Sequence, residues 1–204
     1  MNWTIPNTLT VCRLAVTPAV AMVFLILPRP LADWIALVMF ILAAVTDFLD
    51  GYLARLWKQE SRFGKMLDPV ADKAMVVIAL LVLVALAELS VWITIPAVVI
   101  IFREILVSGL REFAGGQSQS LSVTGAARWK TTVQMVAVAG LFLSTGMGQL
   151  QDPETAEGVA GMVAVATSTV EIVALALLWV AAIMTLTTGW GYFMKAISRS
   201  PDEG

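Results

Sequence analysis

DFLDGYLARLWKQESRFGKMLDPVADK, residues 47–73, is the stretch whose reading decides the fold. Long apolar segments with almost no charge flank it on both sides. Inside it stand four aspartates, Asp47, Asp50, Asp68 and Asp72, at successive spacings of three, eighteen and four. Three and four are the separations that put two side chains on one face of a helix. Read as two helices joined by a polar connection, the stretch aims one carboxylate pair at another. Four carboxylates in one pocket need countercharge, because crowded like charges disfavour one another's ionised form. Divalent metal is the common remedy, and all-oxygen ligation suits Mg²⁺ or Mn²⁺.

The 204-residue chain is 59% hydrophobic and 14% charged, with a mean hydropathy of +0.85. Soluble domains carry charge on roughly a quarter of their residues. Several apolar runs reach the roughly 20 residues that cross a bilayer as helix. Six spans are expected, near 9–27, 32–56, 67–87, 91–110, 128–148 and 159–190, in an all-α polytopic membrane protein of one domain over 1–197. Pro28 and Pro30 separate the first two, and Glu88-Leu89-Ser90 is a tight turn between the third and fourth. A polar tail follows from 198 to 204. A net charge of −2 gives no sign of nucleic-acid binding. The single cysteine, Cys12, excludes an internal disulfide, and the absence of histidine leaves carboxylates for acid–base work. Met1-Asn2-Trp3 lacks the basic start of a signal peptide, so the first apolar run is expected to stay in the protein.

Charge placement sets the orientation. Arg55, Lys58, Arg62, Lys65, Arg111, Arg128, Lys130, Lys195 and Arg199 fall near one set of span ends, whereas Arg29 is the only basic residue in the opposite loops. The positive-inside rule puts the first set, both termini and the aspartates on the cytoplasmic side. Trp3 and the Ile5-Pro6-Asn7 turn suggest a short interfacial segment over about 1–8, or a simple helix start capped by Asn7 or Thr8.

On the second helix Asp47, Gly51 and Ala54 share a face, with Asp50 and Arg55 flanking it. Gly51 and Ala54 leave room for a ligand to reach the backbone, and they are also what close helix packing uses in membranes. Arg55 can pair with the carboxylates or neutralise a phosphate. Pro69 is expected in the opening turn of the third helix, where proline is tolerated. The basic residues by themselves can be nothing more than orientation markers. The aspartates are different, since each costs about 2.5–3.5 kcal/mol near the centre of a spanning helix.

Asp50-Gly51-x-x-Ala54-Arg55, eight residues, Gly64, three residues, Asp68, three residues, Asp72, with Asp47 three before Asp50, resembles the signature of the CDP-alcohol phosphatidyltransferase family at every position. The resemblance implies a six-helix membrane enzyme, a homodimer, with a cytoplasm-facing metal-binding cavity. It implies that Asp47, Asp50, Asp68 and Asp72 hold two Mg²⁺ or Mn²⁺ ions and that Asp72 takes the proton of the acceptor alcohol. Gly51, Arg55 and Ser61 would meet CDP-diacylglycerol, as would Asn7 and Thr10 in the Pro6-Asn7-x-x-Thr10 segment.

Further segments resemble the family's bacterial phosphatidylglycerophosphate synthases. They are Ile5 to Arg13, Phe102 to Phe113, and Lys130-Thr131-Thr132-Val133-Gln134-Met135. Ala127-Arg128 stands where these synthases often have Gly-Lys, which keeps the charge and loses the glycine. The likeness implies an inner-membrane enzyme that uses glycerol 3-phosphate. Arg103, Arg111 and Lys130 would supply the positive charge that a phosphorylated acceptor needs; alternatively Arg103 pairs with Glu104 or Glu112 and the others only mark the cytoplasmic side. Other acceptors within the family, inositol phosphate or phosphatidylglycerol, are the nearest alternative. A cation or proton transporter is the alternative from another class, since intramembrane aspartates also build ion paths. It predicts acidic residues near mid-membrane in several helices, whereas these aspartates cluster at one end of two.

Overall fold

Our computed structural model describes residues 5–56, 62–113, 125–150 and 157–198. Among these residues the chain forms six α-helices: α1 (Ile5–Ile26), α2 (Leu31–Leu56), α3 (Arg62–Leu86), α4 (Val91–Phe113), α5 (Gly125–Gly148) and α6 (Glu157–Ser198). Five of them contain a stretch long and apolar enough to cross a membrane. The remaining helix, α2, is 26 residues long. At about 1.5 Å per residue it matches the others, and it packs along α1 and α5.

The surface confirms the medium. Leu25 and Met162 are 85% and 75% exposed, whereas Asp33, Thr17 and Thr185 are at 0%, 1% and 0%. Apolar side chains face outward and polar ones face inward, as a protein dissolved in lipid requires. Hydroxyls that remain inside the helices bond back to their own backbone, as Thr17 does to the Arg13 carbonyl at 2.8 Å and Ser144 to the Leu141 carbonyl at 2.8 Å.

Packing arranges the helices in two groups. α1 lies along α2 and α3, and α6 lies along α5 and α4. α2 against α5, and α3 against α4 and α5, join the groups. Phe142 on α5 sits at that junction, 6.0 Å from the ring of Phe40 and 6.5 Å from that of Phe24. At the end where α1 turns into α2, Arg29 grips the buried Asp33 with two bonds of 2.8 and 2.7 Å. The turn from α3 to α4 is as tight as expected. Glu88 and Leu89 both adopt left-handed backbone (φ 48° and 61°), and the Leu89 N–H returns to the Val84 carbonyl at 3.1 Å.

Three expected edges are corrected. α3 begins at Arg62, so Pro69 lies inside the helix and not in its opening turn. Its missing N–H leaves out one helical bond just before Asp72. α1 already includes Pro6, Asn7 and Thr8, so neither Asn7 nor Thr8 caps it. α6 runs on through Gly189 to Ser198, because glycine is tolerated in membrane helices and a neighbouring helix uses the space it leaves.

Gly140 brings α5 and α6 together, since a Cβ there would stand 2.9 Å from the Ala174 Cβ. Gly140→Ala should therefore cost about 1–3 kcal/mol of stability, measured by unfolding in detergent micelles. Gly109, with nothing within 4 Å of such a Cβ, should accept alanine without loss.

Candidate active site

α1 carries a polar stripe on an otherwise apolar helix. Asn7, Thr10, Arg13 and Thr17 are all buried, 5%, 2%, 3% and 1% exposed. Their spacing of three, three and four keeps them on one face, and α2 and α3 pack against α1. Arg13 pairs with Asp47 of α2, and the Thr10 hydroxyl donates to Asp68 Oδ1 of α3 at 2.8 Å. One helical turn of α1 thus engages a carboxylate from each of its two neighbours.

Asp72 follows one turn after Asp68. Its Oδ1 is buried and accepts no hydrogen bond among the described residues. It lies within electrostatic reach both of Arg13 and of Lys73, Glu104 and Lys130.

The second polar group forms where α3, α4, α5 and α6 meet. Glu104 Oε1 accepts both Lys130 Nζ at 2.5 Å and Arg103 Nη1 at 3.0 Å. Arg103 also donates from Nη2 to the Thr188 hydroxyl of α6 at 3.1 Å. Lys73 donates to Ser108, whose hydroxyl turns back to the Glu104 carbonyl. Gly189 makes room for this arrangement, because a Cβ there would stand 2.9 Å from Arg103 Cγ. Arg103 Nε, Gln134 Oε1 and Thr185 Oγ1 are buried without a hydrogen bond among the described residues.

Of the residues singled out in the sequence, Asp47, Asp68, Asn7 and Thr10 come together along α1, while Arg103 and Lys130 meet at Glu104. Ser61 lies outside the described residues, as do the side chains of Asp50, Gly51, Arg55 and Arg111. Among the described residues no three acidic or thiol side chains gather closely enough to hold a metal ion. The donor set nevertheless suits one, since a buried carboxylate oxygen without a donor, such as Asp72 Oδ1, calls for a cation.

Sequence reasoning gave no role to Arg13, Thr188 or Gly189. Arg13 stood in a quoted segment without a role, although its i, i+3 relation to Thr10 was the available signal. Glu104 is the partner of Arg103 that the sequence offers as an alternative, at 3.0 Å, but its place at the centre of the group has no signal in the sequence. Thr188 and Gly189 had no signal at all. Glu171, an acidic residue within the apolar part of α6, is exposed and forms no ion pair among the described residues.

An all-helical membrane bundle whose interior holds carboxylates and cations at the meeting of α1 to α5 is a class of protein suited to charged head groups. The model of the CDP-alcohol phosphatidyltransferase family matches residues 3–197. The chain belongs to that family and is a membrane-embedded transferase; the family works with divalent metal. It is 51% identical, over the full length of both chains, to a CDP-diacylglycerol–glycerol-3-phosphate 3-phosphatidyltransferase of Cereibacter sphaeroides. Proteins of the same name from Haemophilus influenzae (47% identical over 70% of this chain and 77% of the relative) and Rickettsia bellii (37% over 93% of each) are also similar.

The Thr10–Asp68 bond should register as a coupling. In a double-mutant cycle of Thr10→Val and Asp68→Asn, unfolding in micelles should give an interaction of about 0.5–1.5 kcal/mol. Additive effects would show that the bond carries no energy.

Proposed function

We propose that this protein transfers the phosphatidyl group of CDP-diacylglycerol to sn-glycerol 3-phosphate, giving phosphatidylglycerophosphate and CMP. The observation that carries the chemistry is the buried, unpartnered Oδ1 of Asp72, set between the α1 stripe and the cationic group around Glu104. The identity to transferases of that name supports the choice of substrates.

The hydroxyl at carbon 1 of the acceptor attacks the phosphorus that carries diacylglycerol. A new P–O bond forms, the bond to the CMP oxygen breaks, and the hydroxyl proton passes to Asp72. A carboxylate is a weak base, with a reference pKa of about 3.9, so Asp72 works by proximity and orientation. Two Mg²⁺ or Mn²⁺ ions held by Asp47, Asp50, Asp68 and Asp72 would neutralise the diphosphate charge. Arg13 and Thr10 hold Asp47 and Asp68 in place for that role. Asn7, Thr10, Gly51, Arg55 and Ser61 take the CDP part, and Arg103, Arg111 and Lys130 the acceptor phosphate. The acyl chains stay in the bilayer while the head group enters from the side. On this reading the site opens to the cytoplasm of a bacterial inner membrane, as the basic loops indicate, and the enzyme works as a homodimer.

Purified protein given CDP-diacylglycerol, Mg²⁺ or Mn²⁺ and a panel of alcohols should release CMP with sn-glycerol 3-phosphate. Release only with inositol phosphate would overturn the acceptor. Asp72→Asn should lower turnover by about 10²-fold or more while CDP-diacylglycerol still binds, and normal turnover would remove the base assignment. Gly189→Ala, by displacing Arg103, should raise KM for the acceptor several-fold and leave KM for CDP-diacylglycerol unchanged.

A further inference from the structure

A single carboxylate oxygen of Glu104 accepts both Lys130 and Arg103, while Lys73 is drawn to the same turn of α4 through Ser108. Two cations from two helices therefore share one fixed anion, with a third from another helix within its electrostatic reach, in a setting where the Arg103 and Lys130 side chains are only 9% and 6% exposed. Cations this far from water need an anion at all times. A phosphate oxygen would use the same donors in the same way.

We propose that Glu104 is a built-in stand-in for the acceptor phosphate: it holds Lys130 and Arg103 in place before the acceptor arrives, and the phosphate competes with it for them. This rests on the proposed use of a phosphorylated acceptor at this group. Glu104 is a positioning residue in this account and touches no reacting atom. Two consequences follow from charge. Three cations and one carboxylate leave two positive charges, which matches a phosphate monoester of about −1.5 to −2. An uncharged alcohol cannot displace the carboxylate, so Glu104 also selects against acceptors without phosphate.

The test is a thermal unfolding titration of the full-length protein in micelles with sn-glycerol 3-phosphate, alongside KM and kcat. Glu104→Gln keeps the shape and removes the competing charge. It should lower Tm without ligand, enlarge the Tm gain from sn-glycerol 3-phosphate, and tighten the midpoint by about fivefold or more. KM for sn-glycerol 3-phosphate should fall in step, with KM for CDP-diacylglycerol unchanged. Glu104→Asp, whose shorter carboxylate reaches the cations less well, should fall between wild type and Glu104→Gln, and it tests the idea alone should Glu104→Gln not fold. A merely structural Glu104 would weaken binding in both variants or leave it unchanged, and either result overturns the proposal. If the wild-type protein releases CMP with sn-glycerol 3-phosphate and the midpoints do not tighten, only this inference falls. If no phosphorylated alcohol releases CMP, the functional reading falls and takes the inference with it.

Discussion

Two contacts made by one turn of α1, Arg13 to Asp47 and Thr10 to Asp68, are the constraint on which the other features depend. Within a bilayer an unpaired carboxylate is costly, and a donor supplied by the protein lowers that cost and fixes where the group points. α1 supplies both donors from a face that also buries Asn7 and Thr17. The positions of α2 and α3 follow from that. They lie against the polar face of α1, and their aspartates cannot turn toward lipid without losing those partners. Packing and chemistry are therefore one requirement in this part of the molecule.

The second requirement lies across Asp72. Glu104 draws Lys130 and Arg103 together, with Lys73 held at the same turn through Ser108, at the junction of α3, α4 and α5, and α6 completes it with Thr188 and the space at Gly189. Asp72 stands between the two groups with one oxygen unsatisfied. Among the described residues it is the one carboxylate oxygen in the set of buried polar atoms left without a hydrogen bond, the kind of atom that an arriving cation or hydroxyl would satisfy. On the proposed reading, the group around Glu104 handles the acceptor's anion, the α1 to α3 carboxylates handle the nucleotide side, and Asp72 serves as base, the division of labour that transfer between two phosphate-bearing substrates requires.

Much of this was legible in the chain. The helix count follows from apolar length, and the aspartate pairs follow from spacings of three and four within a helix. Helix edges near Gly and Pro were harder. The last span is expected to end near 190 and Pro69 to open the third helix, yet α6 runs on to Ser198 and Pro69 lies inside α3, because tertiary packing offsets the local penalty. What spacing cannot express is which element stands opposite. Arg103 and Thr188 are 85 residues apart, and Thr10 and Asp68 are 58 apart. Glu104 shows the same limit, since beside Arg103 in sequence it looks like a local partner, and only the approach of α5 makes it the centre of a group. Glu171 runs against a pattern that confined acidic residues to one end of the bundle, and nothing in the fold explains its exposure.

The claim at the centre is that carboxylates of α2 and α3, held by α1, form a shared cation site beside Asp72. An anomalous difference map from crystals of the protein grown with Mn²⁺ and CDP-diacylglycerol tests it most directly. The account predicts manganese peaks in contact with the Asp68 and Asp72 carboxylates, with Asp47 on the same site. Manganese elsewhere, with these three aspartates bonded only to protein side chains, would contradict it.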